Sequence, residues 1–107
     1  MIDSDKAWLA GLLEGEGHFG ISSNGRKEYF KVIVKMTNSE VIDRVASLFD
    51  RKPHRVVAQK PGWNDQYCVQ IKGTPAVKLA REIYPWLSTT RRIQIRKALV
   101  KCGRLPA

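Results

Sequence analysis

From Phe30 to Met36 every second residue is apolar. Phe30, Val32, Val34 and Met36 alternate with Lys31, Ile33 and Lys35. A period of two is that of a β-strand, and it sends the apolar set to one side and the lysines to the other. Such a segment commits the chain to a sheet with one dry face and one wet, basic face. Three more segments read as strands. Phe19 and Ile21 alternate with His18, Gly20 and Ser22. Arg55 to Lys60 forms a third. Tyr67, Val69 and Ile71 alternate with Gln66, Cys68, Gln70 and Lys72. Ser23-Asn24-Gly25-Arg26 predicts a hairpin turn between the first two, because Asn-Gly accepts the positive dihedrals of tight turns. Pro61-Gly62 begins the turn between the last two.

The segments between these strands carry helical spacing. Ser4 is placed to cap a helix from Asp5 to about Glu14, with Trp8, Leu9, Leu12 and Leu13 on its apolar side and Gly15 and Gly17 as its stop. Asn38 or Ser39 caps a second helix with a stripe of Val41, Ile42, Val45, Leu48 and Phe49, ended by Asp50 to Pro53. Thr74 caps a third, Pro75 enters its first turn, and Val77, Leu79, Ala80 and Ile83 face inward until Pro85 breaks it. A last helix runs from about Thr90 to Lys101 and stops at Gly103. Trp8 and Trp86 are assigned to the core. Helix, two strands, helix, two strands, helix, helix makes an α+β fold of αββαββα type. It has a four-stranded antiparallel sheet with helices on one face, and residues 1–107 form one domain.

Nineteen basic residues against ten acidic ones give a net charge of +9, which favours polyanionic partners. The basic residues are spread through structured segments rather than gathered in a tail. Alternation places His18, Ser22, Lys31, Lys35, Arg55, Gln59, Gln66, Gln70 and Lys72 on the wet face, where their charges and amides suit phosphates and base edges. Arg26 in the hairpin turn and Arg92 at the start of the last helix extend this set. The two cysteines, Cys68 and Cys102, are too few for a disulfide framework or a zinc site and are expected as free thiols. No apolar run reaches membrane-spanning length, so no membrane partner is expected. The short acidic start does not read as a secretion signal. The expected location is a bacterial or phage-infected cytoplasm or an organelle, not the secreted space.

One further stretch is unusual for a helix end: Leu9-Ala-Gly-Leu-Leu-Glu-Gly-Glu-Gly17. Small residues Ala10 and Gly11 leave a helical face bare enough for another backbone to approach. Glu14 and Glu16 follow among glycines, and a carboxylate there can hold a metal ion. This stretch resembles the motif of the LAGLIDADG homing endonucleases. Lys35-Met-Thr-Asn-Ser-Glu40 resembles that family's exit from its second strand. Tyr84-Pro-Trp-Leu87 followed by Arg91-Arg-Ile-Gln94 is similar to its aromatic-leucine pair with basic residues and glutamine.

The resemblance covers about residues 5–100 and implies a homodimer acting on a near-palindromic double-stranded DNA site. The two sheets would join into one saddle. Leu9, Ala10, Leu12, Leu13 and Glu14 would lie at the two-fold interface, with Gly11 beside them. Glu16 would bind a divalent metal, and the Gly15 carbonyl would add to its shell. The ion would be Mg²⁺ or Mn²⁺, with Ca²⁺ binding without turnover; no small-molecule cofactor is implied. Asn38 would orient water. The family's basic residue maps to Arg91 or Thr90 depending on the direction of counting, and neither is its usual lysine. Glu16 likewise stands where aspartate is commoner.

Each of these residues has a plainer reading. The two glutamates can be solvated, Asn38 a helix cap, His18 a surface histidine, and Arg91-Arg92 a basic helix start that holds phosphate. Trp63 either stacks on a base or sugar or anchors its loop. Three functions follow: a metal-dependent DNA endonuclease, a non-cutting DNA-binding regulator or intron splicing helper on the same fold, and an RNA-binding module. The scarcity of aromatics on the wet face speaks against the last.

Overall fold

In the computed structural model, which describes residues 1–106, the first helix α1 spans Asp3–Glu16. Strands β1 (Gly17–Asn24) and β2 (Lys27–Met36) follow as a hairpin. Helix α2 is Ser39–Phe49; strands β3 and β4 are His54–Val56 and Gln66–Lys72. Helix α3 (Thr74–Ile83), a 3₁₀ turn (Tyr84–Trp86) and helix α4 (Thr89–Lys101) complete the order. The α+β reading holds. All strand pairs are antiparallel, in the order β1-β2-β4-β3.

The alternation in β2 does what its period requires. Phe30, Val32 and Val34 are buried, and their neighbours Phe19 in β1 and Val69 and Ile71 in β4 share that face. Leu9 and Leu13 of α1, Ile42, Val45 and Phe49 of α2, Leu79 and Ile83 of α3, and Ile95 and Leu99 of α4 cover it. Burying each of these side chains contributes about 1.5–3 kcal/mol.

Several boundaries differ from expectation. Helix α1 starts at Asp3 and runs on to Glu16, through Gly15 rather than stopping before it. Ser4 lies inside the helix and does not cap it; Asp3 and Asp5 supply the negative charge its first turn favours. Gly17 makes the corner into β1. A Cβ there would lie 2.8 Å from the Leu13 carbonyl oxygen, so only glycine fits. The hairpin loop is Gly25-Arg26, one residue later than Asn-Gly centring would place it. Asn24 pairs with Lys27, and Gly25 takes the positive φ. Gly73, not Thr74, caps α3; the Thr74 hydroxyl instead accepts from Arg104 Nη2 at 2.8 Å. Trp8 is half-buried under Arg44, but Trp86 is 46% exposed and outside the core.

The third strand is the largest change. It holds only His54–Val56, not Arg55 to Lys60. The Asp65 carboxylate accepts from the Arg55 guanidinium and from the Ala58 N–H at 2.7 Å. That side chain takes the backbone donor a longer strand would have offered to pairing, and the chain turns away after Val56.

Candidate nucleic-acid interface and acid site

Residues directly opposed in a sheet share a face, so the register fixes the composition of the uncovered side. His18 opposes Ile33, Gly20 opposes Lys31, and Ser22 opposes Tyr29. Lys31 opposes Lys72, Ile33 opposes Gln70, and Lys35 opposes Cys68. His54 opposes Cys68, and Val56 opposes Gln66. His18, Ser22, Lys31, Lys35, Gln66, Gln70 and Lys72 therefore lie together on the open face as the alternation predicts. Arg26 stands at the hairpin tip, exposed.

Arg55 and Gln59 do not join them. Arg55 opposes Tyr67, whose phase is that of the covered face, and its guanidinium is bound to Asp65 at the sheet edge. Gln59 sits in the loop after β3. In their place the register brings His54 to the open face, beside Cys68 and Lys35. The sequence did not point to it because a strand begun at Arg55 has the opposite phase.

His18 has a shaped seat. A Cβ on Gly20 would lie 2.8 Å from His18 Nε2, so the imidazole lies over the glycine on the open face. Gly20 keeps that ring close against the sheet.

At one end of this surface α1 delivers its acids. Gly17 opposes Val34, so Glu16 stands at the end of the sheet toward which β2 runs on its way to Asn38. Glu16 and Gly15 are exposed. Carbonyls in a last helical turn have no helical N–H to accept, and the negative end of the helix dipole lies there. The Asn38 Oδ1 accepts from the Val41 N–H at 3.2 Å and caps α2, which leaves its amide nitrogen for other work.

Glu14 faces a different way. One carboxylate oxygen accepts the Ser88 N–H and the other the Ser88 hydroxyl, both at 2.7 Å. These bonds, with the Arg91 charge, hold its carboxyl below the ordinary glutamate range against a smaller opposing effect of burial. Ser88 is also the N-cap of α4. Glu14 thus ties the end of α1 to the start of α4 and does not present its carboxylate to a partner. Arg91 reinforces the tie. Its Nε donates to the Glu14 carbonyl at 3.0 Å and its Nη1 to Gln94 Oε1 at 2.9 Å, with the guanidinium 5.7 Å from the Phe19 ring centroid. Ser88 and Gln94 are participants the sequence reading left without a role; a serine just before Thr-Thr and a basic helix is a capping signal. Arg92 turns away from the sheet. It donates to the Tyr84 and Pro85 carbonyls at 3.1 and 2.7 Å, holding the 3₁₀ turn rather than contacting the open face.

The interface residues also sort differently. Leu9, Ala10 and Leu13 are fully buried in the chain's own core and cannot reach a second copy. The outward side of α1 consists of Ala7, Gly11 and Gly15, with Leu12 and Trp8 half-exposed beside them. A Cβ on Gly11 or Gly15 would meet nothing within 4 Å, so this strip is open to close approach. Among the described residues no three His, Cys, Asp or Glu side chains are grouped as a metal site. Both cysteines are free thiols. Among the described residues no helix is long and apolar enough to cross a membrane.

No protein-family model and no curated protein matches the sequence. Solved structures do match the fold. The homing endonuclease I-CvuI, solved on a DNA target with Mg²⁺ present and the DNA uncleaved, is 18% identical with a TM-score of 0.62 over 96% of this chain and 68% of its own. A further I-CvuI complex was solved with Ca²⁺. The archaeal intron-encoded homing endonuclease I-Vdi141I, complexed with DNA, is 13% identical with a TM-score of 0.64 over 87% of this chain and 64% of its own. The LAGLIDADG meganuclease I-AabMI, bound to uncleaved DNA, is 20% identical with a TM-score of 0.60. This chain covers 37% of its length. The chain has the fold of the LAGLIDADG homing endonucleases.

Proposed function

We propose that the protein is a site-specific double-stranded DNA endonuclease, metal-dependent and active as a homodimer on a near-palindromic site. The observation that carries this reading is the placement of Glu16. It is an exposed carboxylate, unpaired among the described residues, at the negative end of α1 and at the edge of a sheet face that carries Lys31, Lys35, Lys72 and amides. Lysines there would hold phosphates, and Ser22, Gln66 and Gln70 would meet base edges.

Glu16 and the Gly15 carbonyl are hard oxygen donors. They fit a small divalent ion such as Mg²⁺ or Mn²⁺, which takes few protein ligands and completes its shell with water and phosphate oxygens. When bound, such an ion supplies charge neutralisation at phosphate and a more acidic water. The chain's own part is positioning. The free amide of Asn38 donates to a water, and the remaining guanidinium nitrogen of Arg91 offsets charge developing on the phosphate. A second copy packed along Ala7, Gly11 and Gly15 supplies a second acid near the two-fold axis. The match to I-AabMI, which takes up 37% of that longer chain, supports a chain that works in pairs.

A randomised, partly palindromic duplex library with Mg²⁺ tests this. Wild type should enrich one two-fold cut site, and Glu16→Ala should cut none. Equal cutting by both would overturn the assignment of Glu16.

One observation favours a second reading, a DNA-binding regulator or splicing helper that no longer cuts. Arg91 stands where lysine is usual in the resembled family, and it braces α1 through the Glu14 carbonyl. An arginine does not readily give up a proton near neutral pH. This reading predicts sequence-specific binding in EDTA with no cleavage of the bound site in any metal; metal-dependent cutting would remove it.

A further inference from the structure

After Val56 the chain leaves the sheet, and Val57, Ala58, Gln59, Gly62, Trp63 and Asn64 border an open cleft of about 550 Å³. Its floor includes Val56 and Gln66, which oppose each other on the open face. Thr37 closes it on the β2 side, Trp63 forms a wall, and Gln59 and Asn64 bring amide groups. The cleft therefore opens beside the proposed DNA surface. It lies on β3, the edge strand at the opposite side of the sheet from β1.

Trp63 is 62% exposed and Val57 65%, although large apolar side chains usually find cover. The loop that carries them is braced. Asp65 holds both Arg55 and the Ala58 N–H, and the Trp63 N–H donates to the Lys60 carbonyl at 3.2 Å. The Lys60 ammonium lies 4.7 Å from the centre of the Trp63 ring. An aromatic held on a braced loop with its ring in water is presented rather than buried.

The wall, the amides and the ammonium select one ligand chemistry. A nucleobase has a flat face that stacks on indole, an edge of donors and acceptors that amides match, and a phosphate within reach of a nearby cation. We propose that this cleft is a nucleobase site that takes one unstacked base at the flank of the bound DNA, at the β3 edge of the open face and across the sheet from β1. Trp63 stacks on the base, Gln59, Asn64 and Gln66 read its edge, and Lys60 meets its phosphate. The proposal rests on the DNA-binding reading above and deepens it.

The test uses a duplex selected by binding in EDTA, so cleavage plays no part. At each flank position two duplexes are compared, one with an unpaired base and one with an abasic residue. Neither has a base pair to break there, so their difference reports contact with the base. Wild type should bind the unpaired base about tenfold more tightly than the abasic residue at one outer position. Trp63→Ala should show no difference there, and Trp63→Phe should keep part of it. Equal binding of the two duplexes by wild type at every position overturns the site. So does a difference that survives in Trp63→Ala. A Trp63→Ala variant that melts lower but keeps the wild-type profile assigns the indole to loop anchoring. If no duplex is bound at all, the DNA-binding reading fails first and the base site with it.

Discussion

Glu14 places both carboxylate oxygens on Ser88, while Glu16, two residues on, has no partner among the described residues. Their substitutions should separate accordingly. Glu14→Gln keeps the shape but removes the charge from two hydrogen bonds, at a cost of about 1 kcal/mol at neutral pH for a group partly open to water. The Glu14 carboxyl is held below its ordinary range, chiefly by the Ser88 N–H. Its bond therefore adds stability that is complete above the usual glutamate pKa of about 4.3 and fades as pH falls through the lower folded value. Thermal melts from about pH 6 to about pH 3 should fall less steeply in Glu14→Gln than in wild type; parallel curves would remove Glu14 as a source of acid sensitivity. Glu16→Ala should do the reverse. It relieves a negative charge at the negative end of α1, so the melting temperature should hold or rise by the equivalent of a few tenths of a kcal/mol while cutting is lost. A marked loss of stability would show that Glu16 has a structural partner.

Helix α1 has two sides with different duties. Leu9→Ala should cost about 2–5 kcal/mol of folding stability, because Leu9 is fully buried in its own core. On the outer side, Gly11→Ala should stabilise the isolated chain by up to about 1 kcal/mol, since its Cβ enters open space. Gly11→Leu should fold equally well but elute as a monomer with light-scattering detection. A Gly11→Leu dimer would mean that α1 is not the contact between copies. Sequence showed which helix carries the small residues but not which of them face out; that depends on how α1 is rotated against the sheet. The same division runs through the fold. Strand β2 was legible because its alternation is strict and local. Strand β3 was not, because Asp65, ten residues from Arg55, takes the donor that would have continued pairing. The tie between Glu14 and Ser88 spans 74 residues and leaves no periodic trace. The open face was legible where alternation is strict, as at Lys31, Lys35 and Gln70, and illegible where a short strand begins one residue earlier than its sequence suggests, as at Arg55 and His54.

At the scale of the whole molecule, the chain carries a net charge of +9, and Lys31, Lys35 and Lys72 stand on the open face. Affinity for duplex DNA should fall with salt, with a log–log slope of about −0.9 per phosphate neutralised. Replacing Lys31, Lys35 and Lys72 together with alanine should flatten that slope by about 2.7 if each meets one phosphate, as measured by fluorescence anisotropy across a salt series. An unchanged slope would place the phosphate contacts elsewhere. Stability and recognition are also divided between layers. The helices bury the apolar side of the sheet, and residues 57–64 hang from it by Asp65 and little else. That loop can be rewritten at most of its positions without disturbing the core, provided Gly62 keeps its positive φ and Arg55, Ala58 and Asp65 keep their bonds. On the proposed reading of the cleft, a lineage needing a new target, or a laboratory library built for one, would have there a stretch of chain in which variation is cheap and its consequences fall on the choice of DNA.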